Sequence, residues 1–596
     1  VNLALGGLYS SGGGKVYGSG PTNAAVTNFA ERFYKVGSQV TRRCNEAAPS
    51  QGALAYRRSL VVRGYSERAE TDAFFEILRS GVADDTAPTQ RRPTKSVRWK
   101  LSLSASGWLL AVLGSKALAC SGAEVAMREL DPADAAFLHD LRREYVDAGA
   151  TDGPMKRLLQ VAQGEISWEE YSGDSMVPAQ MIGNGMRRII NAADVVMTTP
   201  AGAQRQWYKD AWSSAKVIAV DEGGCMGLAD LCSIWGNTLR PLVMAGDVKQ
   251  LPPAVMELQN SDVNGNYANR FGLAGRVSGL AWLQGLGIPT FRLLQQMRMA
   301  NDMFGLAQKL FYNDHQLGYG PGSDPSLDSH AVGHSFEKFL SEGKFKGYQA
   351  PPPGKLLPMF LHMPNTKVDQ VGTSKLNRMQ VKGALDLIKD FVVKTGTSAN
   401  RFVVITAHRP NVDYGNRLLR SKSYKELAEM PEVQTVDSIQ GCENDISVFI
   451  CGTSSRAKSV GFVSNQNRLN VSITRQNSAL LIIGDKTVTG KLKGTQSEME
   501  NLMKQAKSGT PIWNNSGEMT FTKSAPMRQL LVELHDAGRI IDMVSQEEAD
   551  KEAAAEEEEK ELIHKEKVDR ITAYLETDWK FGWSWADLDE EDLEEF

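Results

Sequence analysis

The run VIAVDEGG (217–224) puts two adjacent carboxylates, Asp221 and Glu222, directly after four apolar residues. An acid at the mouth of a strand can hold Mg²⁺ through water, and its neighbour can orient or deprotonate an attacking water. Gly223 and Gly224 then let the backbone turn close to a phosphate. A strand ending in two acids is common, so the next string matters. In MAGDVKQLPPAV (244–255), Gly246 and Asp247 close a second apolar run, and Gln250 follows. A glutamine there could hydrogen-bond a γ-phosphate and the lytic water together. Arg298, in LLQQMRMA (293–300), lies beside an apolar stretch, and Arg475 ends the near-neutral run VSITR (471–475). A charge in such a place is costly unless it meets an anion. Two arginines that neutralise a transferring phosphoryl group meet that condition. The chemistry these residues could perform is Mg²⁺-assisted phosphoanhydride hydrolysis.

The elements that must position them are legible. KVIAVDE (216–222), PLVMAGD (241–247), RFVVITAH (401–408), SVFICGTS (447–454) and ALLIIGD (479–485) are uniformly apolar and then polar. Strands of that kind are parallel and covered on both faces. Helix-like segments separate many of them, which is the α/β pattern. Ligands in such sheets bind beyond the carboxyl ends of the strands, where Asp221, Glu222, Asp247, His408 and Asp485 stand. Residues 133–163 read as two charged helices, and RRPTKSVRWK (91–100) as a basic segment able to meet a phosphate backbone or to remain a loop. Residues 315–358, rich in Gly, Pro, Ser and His, read as a loop-rich connection.

One apparent phosphate loop fails inspection. SSGGGKVYGSGPTN (10–23) ends a glycine run in Lys15, but Tyr9 stands where the first glycine of G-x-x-x-x-G-K-[ST] belongs, and Val16 follows the lysine. The stretch reads as a Gly/Ser turn ahead of a strand.

Composition bounds the class. The 596 residues carry a net charge of −4, with 42% hydrophobic and 23% charged residues, as in a globular protein. The chain has no apolar run long enough to span a bilayer and no signal peptide pattern. The six cysteines form no paired C-x-x-C sets and suggest no disulfide framework, which points to a reducing compartment, cytoplasm or nucleus. Residues 547–596 hold 20 acidic and 6 basic side chains, a net of −14, which leaves residues 1–546 at +10. A positive body with an acidic tail suits a nucleic-acid binder whose tail is a solvated extension or competes with phosphates.

PTNAAVTNFA, VDEGG, GDVKQLPP, QQMRM, TVDSIQGCE and RLNVSITR resemble, in order, motifs Ia, II, III, IV, V and VI of superfamily 1 helicases. The chain resembles the group of the nonsense-mediated-decay helicase, which includes senataxin and the immunoglobulin-mu-binding helicase. The resemblance covers roughly residues 1–40 and 190–490. It implies two RecA-like parallel-sheet domains with ATP between them, single-stranded RNA or DNA across both, and movement 5′ to 3′. The residues themselves add a helical insertion in the first domain and an acidic, helical or disordered C-terminal tail. The expected domains are residues 1–290 (insertion about 41–192), 291–500, and an extension over 501–596.

The resemblance assigns roles. Asp221 is the Mg²⁺ acid and Glu222 activates water; Gln250 senses the γ-phosphate, and Arg298 and Arg475 are the fingers. Gly246, Asp247, Gln440, Gly441 and Glu443 fall at nucleotide positions. Met297 stands where an aromatic residue often stacks on adenine, and a thioether stacks more weakly. Pro21, Thr22, Asn23, Thr198 and Thr199 line the strand path, with Thr435 and Ser438 facing it from the second domain. His408 and Asn411 replace a usual tyrosine and glutamine. Motif I is absent: VNLALGGLY (1–9) resembles the helix that follows it, so the chain is expected to start just past its own phosphate loop and to be inactive alone. The alternatives are a non-catalytic single-strand binder with a helicase fold, and a scaffold whose Trp-rich acidic tail docks a protein partner.

Overall fold

The structure is a computed structural model that describes residues 14–47, 56–87, 99–120, 129–173, 176–255, 269–343, 345–372, 374–439, 441–454, 461–489, 492, 510–513, 519–522 and 525–543. VNLALGGLY, Gln440, most of the basic segment 91–100 and the acidic tail lie outside the described residues. The chain divides into two compact units. One comprises Val1–Leu294 with Val436–Glu443 and Gln466–Ser472; the other is the remainder.

The first unit is built on five parallel strands: β1 (Val16–Ser19), β2 (Val61–Arg63), β3 (Val195–Thr198), β4 (Val217–Val220) and β5 (Leu242–Met244), in the order β2-β3-β1-β4-β5. Every residue of β1 to β4 is buried, as uniformly apolar strands require. β5 ends the sheet and is only partly buried. Among the described residues the sheet runs without a gap from β2 to β5, which are its two edges. Helix α1 (Asn23–Ala47) starts where Thr22 Oγ1 accepts the Ala25 amide at 3.1 Å. It packs Val26, Phe29 and Phe33 inward at helical spacing.

The segment expected as an insertion, 41–192, is part of this unit's core. It supplies β2 and several helices, including α2 (Glu67–Ser80), α3 (Ala105–Leu113), α4 (Ala136–Ala148), α5 (Pro154–Ala162) and α6 (Ala179–Ala192). The two charged helices anticipated over 133–163 are α4 and α5. α3 is buried on all sides, capped by Ser104, whose hydroxyl accepts the Gly107 amide, and stopped by Gly114 at φ 72°.

The second unit carries a seven-stranded sheet: β6 (Phe345–Lys346), β7 (Met359–His362), β8 (Phe402–Thr406), β9 (Gln434–Thr435), β10 (Asn444–Ile450), β11 (Gln476–Gly484) and β12 (Ile540–Met543). The order is β9-β8-β10-β11-β7-β12-β6, parallel except at β12 and β6. β12 lies within the expected C-terminal extension yet pairs with β7 inside this sheet. The stretch anticipated as loop-rich, 315–358, contains helix α7 (Ala331–Ser341), which sends Val332, Phe336, Phe339 and Leu340 into the core. Among the described residues no helix is long and apolar enough to cross a membrane. The two sheets are the α/β pair expected from the strand patterns.

Candidate active site

In the first unit, parallel β4 and β5 deliver Asp221–Gly224 and Gly246–Gln250 to the same end of the sheet. Asp221 N–H donates to Ser19 O at 3.0 Å, which ties the acid to the end of β1. Glu222 takes a left-handed backbone, φ 55°, a conformation that glycine adopts far more readily. The Glu222 amide donates to Asp221 Oδ1 at 3.0 Å. Gly223 N–H then donates to Ala245 O at 2.7 Å.

The glycines are needed for close approach. A Cβ on Gly246 would stand 2.6 Å from the amide nitrogens of both Gly223 and Gly224, and one on Gly224 would stand 2.3 Å from Asp247 O. The two turns therefore pack backbone against backbone. Asp247 in turn organises its own loop: Oδ1 accepts the Lys249 amide at 2.8 Å, and Oδ2 accepts from Gln250 Nε2 at 3.3 Å.

Two distant segments close around this point within the same unit. Asn28 Nδ2 donates to Gly441 O at 2.7 Å, and a Cβ on Gly441 would lie 3.6 Å from Glu222 Oε1. Helix α8 (Gln466–Ser472) is fixed by Asn467 Nδ2 to Gln250 O, 2.6 Å, and by Asn470 Nδ2 to Lys249 O, 2.9 Å. The structure thus brings Asp221, Glu222, Gly246, Asp247, Gln250 and Gly441 together. Glu443 is exposed, Ser438 half-buried.

Burial, and then the charge of Glu222, push the Asp221 carboxyl up to about 6. The same two causes, burial first, raise the Cys225 thiol to about 11. Such a pair of hard oxygen donors fits Mg²⁺, which is usually held by one or two carboxylates together with substrate phosphates. Among the described residues no cluster of three or more His, Cys, Asp or Glu could hold a metal alone.

Lys15 is far from this chemistry. It precedes β1, and its amine donates to Asn191 O in the last turn of α6. Asp221 follows β4, which runs parallel to β1 in register, so the lysine and the acids lie at opposite ends of the sheet.

The strand-path residues divide. Pro21, Thr22 and Thr199 are half-buried and Asn23 is exposed at the end of the sheet; Thr199 Oγ1 caps a short helix through the Gly202 amide. Thr198 departs from the expectation. It is fully buried, and its hydroxyl bonds to Tyr17 at 2.7 Å, so it serves the fold and offers nothing at the surface.

In the second unit, Arg298 and Arg475 converge on one residue. Arg298 Nη1 donates to Thr474 O and Arg475 Nη2 to Thr474 Oγ1, both at 2.9 Å. Arg475 is only 1% exposed, whereas Met297 is 63% exposed. Thr435 lies in β9, half-buried. Asn411 is inside the fold: its Nδ2 donates to Thr406 Oγ1 at 3.0 Å and its Oδ1 accepts the Asn377 amide at 2.9 Å. Sequence reading missed the asparagines 28, 467 and 470, because nothing in their spacing marks them until the fold brings them to the turns.

Comparison with known proteins gives consistent kin. A family model described as an AAA domain matches residues 278–487. The chain is 26% identical over 373 residues to a regulator of nonsense transcripts 1 homolog of Arabidopsis thaliana, covering 61% of this chain and 25% of that protein. It is 25% identical over 303 residues to helicase sen1 of Schizosaccharomyces pombe, covering 50% and 16%. An uncharacterized ATP-dependent helicase of Methanocaldococcus jannaschii is 27% identical over 323 residues, covering 54% and 41%. The match therefore spans less than half of each relative's length. Among solved structures, the arterivirus nonstructural protein 10 helicase aligns at 16% identity and a TM-score of 0.22, covering 49% of this chain and 42% of that one.

The raised Asp221 carboxyl has a measurable consequence. The folded state holds that proton up to about pH 6, whereas an unfolded aspartate releases it near pH 4. Stability from this group is therefore full below about pH 4 and is lost as pH rises to about 6. Asp221→Asn should abolish that decline and stabilise the metal-free protein at pH 7 by roughly 1–3 kcal/mol. Denaturant melts at pH 4, 5, 6 and 7 check this; the same decline in the variant would contradict it.

Proposed function

We propose that this chain, a relative of the superfamily 1 helicases of the nonsense-mediated-decay and senataxin group, is the motor part of an ATP-dependent helicase moving 5′ to 3′ on single-stranded RNA or DNA. The observation that carries this reading is the Asp221–Glu222 turn, pressed against Gly246–Asp247 with Gln250 alongside. Asp221 would ligate Mg²⁺, and the bound ion would neutralise phosphate charge and draw the carboxyl into its ionised form. Glu222 would accept the proton of the attacking water, and Gln250 would orient that water. Arg298 and Arg475 would neutralise the charge spreading over the phosphoryl oxygens. Gly246, Asp247, Met297, Gln440, Gly441 and Glu443 would contact the nucleotide. Pro21, Thr22, Asn23, Thr199, Thr435 and Ser438 would meet the strand, with Thr198 behind them. Cytoplasm or nucleus is the fitting location, and the acidic tail would either shield the positive body or dock a protein partner.

The second reading is a strand binder without catalysis. Residues 1–596 contain no Gly-Lys-Ser or Gly-Lys-Thr, the run whose lysine and hydroxyl hold phosphates and Mg²⁺ in such enzymes. Residues 1–596 alone should hydrolyse ATP negligibly.

Two experiments test the proposal. The chain should bind labelled single strands with little sequence preference, and affinity should fall steeply between about 50 and 200 mM salt as counterions are released. Binding that ignores salt, or no binding at any salt, contradicts it. With a strand and a G-x-x-G-x-G-K-[ST] loop joined ahead of Val1, Arg475→Ala should cut strand-stimulated ATP turnover by about 10³-fold while strand binding survives. Turnover within about tenfold of the parent would remove Arg475 from the mechanism.

A further inference from the structure

Arg63 ends β2 and is 1% exposed. Its guanidinium is spoken for by neutral groups alone. Nη2 donates to Asn23 Oδ1 at 2.7 Å and to Asn23 O at 3.4 Å, Nε donates to Thr27 Oγ1 at 3.2 Å, and Nη1 donates to Gly64 O. The Tyr65 ring lies 4.0 Å from it, face on. Burial lowers the Arg63 pKa from its ordinary value, and the buried acid whose charge reaches it, Glu70, is hydrogen-bonded elsewhere, with the Ala105 and Ser106 amides, the Ser106 hydroxyl and Trp99. Among the described residues no carboxylate is in salt-bridge reach of Arg63. A buried cation without a counter-charge is costly. This one also sits at the first residue of α1, where the helix end is already positive. Stability alone would favour an apolar residue or a nearby acid there.

What the arrangement achieves is the orientation of Asn23. An asparagine amide can face either way, and its direction follows from its partners. With Oδ1 turned down onto Arg63, the Nδ2 amide points away from the arginine on an exposed residue, and no described residue accepts from it. We propose that Arg63 is a positioning residue: it holds Asn23 so that its amide N–H groups face a single strand and donate to an acceptor there, a phosphate or base oxygen. This rests on the strand-binding reading above and adds to it a residue that makes no contact with the strand itself.

The test measures binding of fluorescein-labelled 20-nucleotide single strands to the full chain, with thermal melts alongside. Arg63→Leu should weaken binding about five- to tenfold, the worth of one hydrogen bond from an oriented donor. Asn23→Ala should lose about as much, and the double variant no more than either. Arg63→Lys, which keeps a charged donor, should restore most of the loss. Any melting penalty of Arg63→Leu should persist in the Asn23→Ala background, which separates folding from positioning. If Arg63→Leu does not fold, Asn23→Asp decides: its carboxylate can pair with Arg63, so the protein should melt higher yet bind the strand more weakly. A full Arg63→Leu effect in the Asn23→Ala background, or unchanged binding by Asn23→Asp, overturns the proposal. If Thr22→Ala and Thr199→Ala weaken binding but the Asn23 and Arg63 variants do not, the strand-binding reading stands and this inference alone falls. If the chain binds no strand, both fall.

Discussion

The site depends on a contact that only glycine permits. A Cβ on Gly224 would collide with Asp247 O, and one on Gly246 with the amide nitrogens of Gly223 and Gly224. That contact sets how far the acid pair stands from the loop bearing Asp247 and Gln250. It is assembled against resistance. Glu222 holds a left-handed backbone, and Asp221 keeps its carboxyl beside another in a place that favours the neutral form. Strain and repulsion of this kind persist only when the surroundings over-determine them. Here the surroundings are parallel strands: buried β4 and partly buried β5 fix where the two turns begin, and buried β1 to β3 complete the sheet.

A second layer holds the turns from the other side. Asn28, Asn467 and Asn470 each donate a side-chain amide to a main-chain carbonyl far away in sequence, at Gly441, Gln250 and Lys249. Main-chain acceptors are a sound choice, since they are present whatever side chain stands there. Through these bonds the segments around 441 and 466–472 belong to the same compact unit as the acids. The turn that carries Gln250 is thus held both by its own Asp247 and by α8.

The sequence was most legible where physics leaves few choices. Uniformly apolar runs became buried parallel strands, and the acids at their ends landed where such sheets place ligands. The failure of Lys15 to fit a phosphate loop agrees with its place at the far end of the sheet. Less legible were features that depend on distant partners. β2 has three residues and β12 four, too short for periodicity to announce, and both take their identity from the strand they join. α7 hid among glycines and histidines although its inward positions follow helical spacing. Thr198, which the resemblance set on the strand path with Thr199, is turned by the alternation of a strand end toward Tyr17. Arg63 gave no signal at all: VVRG reads as an ordinary strand end, and its meaning rests on Asn23, forty residues earlier.

The most direct test of the account is the hydrolysis step at Glu222, in the chain joined to a strand and phosphate loop ahead of Val1. Strand-stimulated ATP turnover should be measured for the parent and for Glu222→Gln. The variant keeps size and hydrogen bonding but cannot accept a proton from water. The account predicts turnover reduced by about 10²-fold or more with strand binding intact, the scale for losing a positioned general base. Turnover equal to the parent would contradict it, because the Asp221–Glu222 turn would then not be the place where water is activated.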